Sequence, residues 1–179
     1  MDRRIVSWKQ YLKLVSDLEK KIRLQQSDSI VAIGRGGLIV GTILSHHLNI
    51  PLFVVMASRY NGIEAGNLNI SGIVGTFDIK KAKNVAIVDD IIDEGVTVRR
   101  IWEEVFNKIN SSETKVNFYA IFGRKIESKD CVVEVLGNDD WVQFPYETGS
   151  DKKMNFGIEY EKLEESNERA DTINNSLSS

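Results

Sequence analysis

The segment VAIVDDIIDEGVTVRR, residues 85–100, places a cluster of acids directly after a run of apolar residues. Four carboxylates fall within six positions: Asp89, Asp90, Asp93 and Glu94. One or two acids would be explained by capping of a helix N-terminus, with any others simply solvated. Four in this order, followed by a glycine and a hydroxyl at the start of a predicted helix, indicate a binding site instead.

The residues after the acids suit a phosphate group. Gly95, the first amides of the helix and the Thr97 hydroxyl can hold a phosphate dianion. Asp89 and Asp90 would repel that phosphate unless something lay between them. A sugar with hydroxyl donors separates such charges, and so does a hard divalent cation. The local chemistry therefore predicts a sugar phosphate as ligand, together with magnesium.

A second loop, GRGG at residues 34–37, has the composition of an anion site. Its glycines allow a sharp turn with outward-pointing N–H groups, and Arg35 adds a cation. A tight strand-to-helix turn with a surface arginine is the alternative explanation. A dinucleotide-binding fingerprint is excluded, because Ile39 occupies the sixth position of GxGxxG.

Strands alternate with helices along the chain, which predicts an α/β fold with a twisted parallel sheet flanked by helices. The predicted strands are residues 29–33, 52–56, 84–89, 115–122 and 131–136. The predicted helices are residues 7–24, opened by a capping box between Ser7 and Gln10, then 37–50 and 96–109. Because the carboxyl ends of parallel strands meet at one edge, both candidate loops are expected there together.

Two segments depart from this alternation. Residues 57–83 are polar, glycine-bearing and long for a connection, which predicts a flap or an excursion of weak strands. Residues 150–179 are polar and acidic, and are expected to be partly helical or disordered. The predicted organisation is thus one catalytic domain over residues 1–149 followed by a C-terminal extension.

The length, composition and net charge of the chain restrict the class of protein. The chain has 179 residues, 42% apolar and 27% charged, with a formal net charge of −3. That charge argues against nucleic-acid binding, and no apolar run approaches a transmembrane length. The N-terminus has no apolar core typical of a secretory signal, and one cysteine allows no internal disulfide. A cytoplasmic location is the expectation.

The acidic segment resembles the phosphoribosyl-diphosphate motif of type I phosphoribosyltransferases. Four apolar residues, two acids, two apolar residues, Asp, any residue, Gly, any residue and Thr follow in that order. The resemblance extends to the bacterial xanthine-guanine branch through RIVSW, GRGGLIVGTILSHHLNI, NFYAIFGRK and DWVQFPYE, and covers residues 3–147. It implies the type I fold, with a small hood and a flexible flap.

The resemblance also implies roles for residues. Ribose hydroxyls would bind Asp89 and Asp90, and Asp93 would be the acid/base group near purine N7. The other implied sites are a pyrophosphate loop (Gly34, Arg35, Gly36, Gly37), often with a non-proline cis peptide bond; a 5′-phosphate loop (Glu94, Gly95, Val96, Thr97); a base site (Arg124, Lys125, Trp141, Val142); and metal ligands (Asp89, Asp90, Glu147).

The implied activity is transfer of a phosphoribosyl group from 5-phosphoribosyl 1-diphosphate to guanine, xanthine or hypoxanthine, with Mg²⁺, in purine salvage. Homo-oligomerisation as a dimer or tetramer is also implied. Two alternatives stay open: a regulatory homologue that only binds phosphoribosyl diphosphate, and a transferase acting on a different base.

Four positions differ from the family pattern. Glu94 replaces the usual Thr or Ser, and Arg124 aligns with the lysine that recognises the purine 6-oxygen. In the flap, Arg59 replaces a serine and Asn69 falls near a missing lysine. The phosphoribosyl half of the site therefore matches the family, whereas the base and flap half is altered.

Overall fold

A computed structural model describes residues 3–59, 68–75, 77–93, 95–109, 113–124 and 131–147. The helices in these ranges are α1 (Trp8–Leu24), α2 (Gly36–Leu48) and α3 (Val96–Ile109), with a short 3₁₀ turn at Ile79–Lys81. The strands are β1 (Arg3–Ile5), β2 (Ser29–Gly34), β3 (Leu52–Arg59), β4 (Leu68–Ile70), β5 (Val74–Gly75), β6 (Asn84–Ile92), β7 (Lys115–Gly123), β8 (Val132–Val135) and β9 (Trp141–Gln143).

The main sheet has the spatial order β4-β3-β2-β6-β7-β8, with β5 paired to β3. Neighbouring strands from β3 to β8 pair in parallel, whereas β4 and β5 run antiparallel to β3. The predicted α/β class with a parallel central sheet is therefore confirmed. Since β2 and β6 are adjacent and parallel, the loops that follow them open at the same edge, as the sequence predicted.

Helices cover both faces of this sheet and bury a separate core on each. On β2, Ile30 and Ala32 pack toward α1 and α2, whereas Val31 and Ile33 pack toward α3. Every residue of β2 is buried. This double burial explains why the strand reads as an uninterrupted apolar run with no alternation.

Helix α1 begins where its sequence signals predict. The Ser7 hydroxyl accepts a hydrogen bond from the Gln10 amide, and the Gln10 side chain accepts one from the Ser7 amide. The predicted capping box is thus confirmed. The buried residues of the helix recur at helical spacing and form one stripe: Tyr11, Leu14, Val15, Leu18 and Ile22.

Two strands run past their predicted ends. β6 continues through the acids to Ile92, because β7 stays alongside it and pairs Ile91 with Phe122. β3 continues to Arg59, because β4 pairs with its last three residues. Asp90 therefore lies on the strand together with Asp89, rather than just after the end of the strand.

A second, two-stranded sheet had no counterpart among the predicted strands. β1 pairs in parallel with β9, with Arg4 opposite Val142. The Arg4 guanidinium forms an ion pair with Glu134 of β8 at 2.5 Å and lies 4.9 Å from the centre of the Phe122 ring. These contacts attach the small sheet beside the carboxyl edge of the main sheet.

The segment predicted as a flap contains weak strands in its described part. β4 and β5 have three and two residues and both pair with β3. Residues 60–67 lie outside the described residues, and so do residues 148–179, which include the predicted C-terminal extension. None of the helices within the described ranges is both long and apolar enough to cross a membrane.

The capping box gives a stability prediction. Replacing Ser7 with alanine removes the cap of α1, so the free energy of unfolding should fall by about 1 kcal/mol in denaturant titration. Ser16→Ala is the matched control, since Ser16 is exposed within the same helix. It should be neutral or slightly stabilising. Equal losses in both variants would show that the cap contributes nothing specific.

Candidate active site

A cleft of about 800 Å³ opens at the carboxyl edge of the sheet, where the loops after β2 and β6 meet the small β1–β9 sheet. The residues predicted for the site that line this cleft are Gly34, Arg35, Gly36, Asp89, Asp90, Thr97, Trp141 and Glu147. The cleft thus brings together residues that are separated by more than a hundred positions in the sequence.

The GRGG loop lies directly on the acid-bearing end of β6. The Gly34–Arg35 peptide bond is cis, as the resemblance implied for this loop, and α2 begins at Gly36. A Cβ on Gly36 would overlap the Asp90 carboxylate, and a Cβ on Gly37 would lie 2.6 Å from the Val88 carbonyl oxygen. Glycine is therefore required here by close approach of the loop to the strand.

Asp89 is held by backbone donors. Its Oδ1 accepts a hydrogen bond from the Asp90 amide at 2.9 Å, and the Gly37 amide also contributes. Burial, followed by the neighbouring charge of Asp90, raises the pKa of Asp89 well above its usual range. The fold therefore disfavours the ionised form of this carboxylate.

Asp90 is held by a phenol. The Tyr146 hydroxyl donates to its Oδ2 at 2.6 Å. No ion pair to Asp89 or Asp90 occurs among the described residues. The hydrogen bonds that hold the two carboxylates therefore come from neutral donors, and in the described structure no cation of the protein occupies their oxygens.

The end of the cleft that was predicted to bind a phosphate is the start of α3. Gly95 has φ +70°, a conformation that favours glycine, and its carbonyl accepts from the Arg99 amide at 2.9 Å. The first turn of α3 contains no acid, and the Thr97 side chain lines the cleft. Glu94 and the side chain of Val96 lie outside the described residues. The described part of this loop offers a helix N-terminus to an anion.

Asp93 and Arg124 lie beyond the cleft lining and contact each other. Asp93 Oδ1 is 3.3 Å from a terminal nitrogen of the Arg124 guanidinium. Arg124 Nε donates to the Gly137 carbonyl at 3.2 Å, and its other terminal nitrogen donates to the Asp140 carbonyl. Arg124 therefore holds the turn before Trp141. Base binding by Arg124 stays a prediction, and Lys125 lies outside the described residues.

The base side of the cleft is formed around β9. Trp141 is 55% exposed and lines the cleft, whereas Val142 is buried beneath it. Glu147 is exposed at the cleft wall, and its Oε2 accepts from the Phe144 amide at 3.0 Å. Gln143 and Tyr146 also line the cleft and were not predicted. They belong to the same DWVQFPYE segment, but nothing in its spacing distinguishes them.

The donor set fits magnesium held partly by a substrate. Mg²⁺ takes one or two protein carboxylates, keeps several waters and draws further oxygens from phosphates. Asp89 and Asp90 supply hard oxygens that lack a cation partner in the described structure. Within the described ranges, no group of three or more His, Cys, Asp or Glu residues could hold a metal by itself. Asp89 and Asp90 thus suit a metal ion that is also bound by the phosphate oxygens of a substrate.

Comparison with known proteins identifies the class. Residues 3–153 match the phosphoribosyl transferase domain. The chain therefore belongs to the phosphoribosyltransferase family, which confirms the resemblance, the fold and the enzyme class predicted from its motifs.

Particular relatives agree with this assignment. The chain is 25% identical to a xanthine-guanine phosphoribosyltransferase of Idiomarina loihiensis, over 79% of this chain and 85% of that protein. It is 28% identical to one of Chromohalobacter salexigens, over 80% and 83%. A crystal structure of a purine phosphoribosyltransferase from Pyrococcus horikoshii is similar, with a TM-score of 0.69 and 31% identity over 82% of this chain and 95% of that one.

The buried carboxylate gives a prediction about stability and pH. Asp89→Asn removes the charge, so above the raised pKa of Asp89 the melting temperature should rise by about 3 °C. The gain should shrink steadily as the pH falls below that pKa and should vanish only near the ordinary carboxyl pKa of about 4, where the unfolded chain is protonated too. Melting curves of the unliganded protein between about pH 5 and 9 test this.

The control for this variant is Asp139→Asn, since Asp139 is exposed in the turn before Trp141. It should leave the melting temperature unchanged across the same range. A melting temperature of Asp89→Asn that tracks wild type at every pH would show that the Asp89 charge carries no cost in the folded state.

Proposed function

We propose that this protein transfers the phosphoribosyl group of 5-phosphoribosyl 1-diphosphate to a 6-oxopurine, yielding a nucleoside monophosphate and pyrophosphate in purine salvage. The proposed acceptors are guanine, xanthine and hypoxanthine. The names of the relatives support a purine, and the choice among the three bases is the part that experiment must decide. Assembly into a dimer or tetramer stays a prediction from the family resemblance.

One observation carries the proposal: the cleft joins two anion-binding ends through a pair of carboxylates without a cation partner. Arg35 and the amides around Gly36 lie at one end, and the N-terminus of α3 lies at the other. Asp90 abuts Gly36 at the first end, and the strand that carries Asp89 and Asp90 leads into the second end. A ribose with a phosphate on C5 and a diphosphate on C1 has this order of charges and hydroxyls.

The reaction forms a bond between a base nitrogen and C1 of the ribose and breaks the bond from C1 to the pyrophosphate oxygen. Positive charge develops on the sugar as the second bond breaks. Asp89 and Asp90 accept hydrogen bonds from the ribose hydroxyls and stabilise that charge. Arg35 and the loop amides stabilise the departing pyrophosphate, while Gly95 and Thr97 hold the 5′-phosphate.

Magnesium, when bound by Asp89 and Asp90 with Glu147 nearby, would neutralise charge on the diphosphate. On the base side, Trp141 covers the purine ring and the Val142 backbone meets its edge. Asp93 acts as the acid/base group. Its ion pair with Arg124 ties it to the turn that carries Trp141. Base binding and proton transfer are thus connected through one guanidinium.

The test is Mg²⁺-dependent pyrophosphate release with guanine, xanthine, hypoxanthine, adenine, uracil or orotate supplied separately. Release with a 6-oxopurine is expected. Asp93→Asn should lower turnover by about 100-fold or more, while binding of phosphoribosyl diphosphate persists. Asp139→Asn is the control and should keep full turnover.

Two other outcomes would contradict the proposal. Release only with adenine, uracil or orotate would identify a transferase acting on a different base. Binding of phosphoribosyl diphosphate by the wild-type protein, with no pyrophosphate release for any base, would identify a regulatory homologue.

The pyrophosphate loop gives a separate prediction. Gly36→Ala places a methyl group on the Asp90 carboxylate, which must shift away. Calorimetry should then show the affinity for phosphoribosyl diphosphate weakened by about tenfold or more. Gly72→Ala is the control, because its added Cβ would meet only the flexible end of Lys108 at 3.3 Å. Unchanged affinity in Gly36→Ala would remove this loop from the proposed substrate site.

A further inference from the structure

Tyr146 follows β9 and its ring is fixed by other aromatic rings. It stacks on Phe144, with ring centres 5.3 Å apart and planes 6° from parallel. Tyr11 of α1 meets it edge-on at 5.6 Å, and Trp8 lies 6.4 Å away. A ring packed in this way has little freedom to turn, so the position of its hydroxyl is set by the fold.

That hydroxyl points to one carboxylate of the cleft. The Tyr146 oxygen lies 2.6 Å from Asp90 Oδ2, in a partly buried position. An ionised carboxylate can only accept, so the phenol is the donor. The bond is therefore charge-assisted, and such bonds are stronger than neutral ones.

Asp90 also contacts the pyrophosphate loop. The space that a Cβ of Gly36 would occupy is filled by the Asp90 carboxylate. Both this loop and the Tyr146 hydroxyl therefore approach the same oxygen of Asp90, Oδ2. Arg35, the nearest cation in sequence to that glycine, forms no ion pair with Asp90 in the described structure. The phenol is therefore the side chain that sets where the carboxylate lies.

We infer that Tyr146 is a positioning residue whose hydroxyl holds the Asp90 carboxylate in place for the ribose hydroxyls of phosphoribosyl diphosphate. The inference rests on the proposed function, since the ribose is that of the proposed substrate. Tyr146 also follows closely on the strand that carries Trp141. The hydrogen bond from Tyr146 to Asp90 therefore connects the segment that carries Trp141, proposed to cover the base, to the carboxylate proposed to bind the ribose.

Tyr146→Phe tests this role, because it removes the hydroxyl and keeps the ring packing. Calorimetry in the presence of Mg²⁺ should show the dissociation constant for phosphoribosyl diphosphate raised by about tenfold. The dissociation constant for inorganic pyrophosphate, which has no ribose, should change by less than about twofold. The unchanged pyrophosphate affinity would also show that the variant keeps its fold.

Tyr119→Phe is the matched control: Tyr119 is a buried tyrosine of β7 outside the cleft lining, and both affinities should stay at wild-type values. Equal weakening of both ligands by Tyr146→Phe would indicate general distortion of the cleft and overturn the positioning role. Unchanged binding of both ligands would overturn it as well, while leaving the proposed function intact. Failure of the wild-type protein to bind phosphoribosyl diphosphate would overturn the proposed function and this inference together.

Discussion

The parallel pairing of β2 with β6 is the constraint on which the site depends. Its register, with Ala32 opposite Val88, brings the end of one strand beside the acids of the other. The chain can then leave β2 only across the top of β6, where Gly36 and Asp90 leave no room for a side chain. Helix α2 starts at that contact. The packing of α2 against the sheet and the shape of the cleft therefore both depend on how closely Gly36 approaches Asp90.

The same contact creates an electrostatic cost. Two carboxylates are brought together in a partly buried place, and the described residues that hold them are neutral donors: the Asp90 amide and the Tyr146 hydroxyl. A cation in the fold would relieve the repulsion, but it would also occupy the oxygens that a ligand must reach. The repulsion between Asp89 and Asp90 therefore lowers the stability of the folded chain at the proposed binding site.

The sequence was informative wherever a local rule applies. The capping box of α1 and the alternation of strands and helices follow from short-range patterns, and both are confirmed. The predicted end of β6 at residue 89 was wrong, because the extension of this strand to Ile92 depends on how far β7 runs beside it. Acidic residues favour a loop locally, and only the neighbouring strand keeps them in the sheet.

The cleft residues were predicted unevenly for the same reason. Asp89, Asp90 and the glycines belong to spaced motifs, so the sequence alone marked them. Tyr146 was missed, because its contact with Asp90 joins positions far apart in the chain. The engagement of Arg124 with the Gly137 and Asp140 carbonyls was missed likewise. A motif shows which residue types are present, whereas hydrogen bonds between residues far apart in sequence can be seen only in the folded chain.

The small β1–β9 sheet has a consequence for the order of assembly. Its two strands are the first and last of the described chain, and nearly all other described residues lie between them. Joining such distant segments carries a high loop-closure entropy, and contacts of this kind form late. During synthesis, the wall that carries Trp141 cannot pair with β1 until almost the whole described chain has been made. The main sheet can form first, so the carboxylate pair is in place before the cleft acquires its second side.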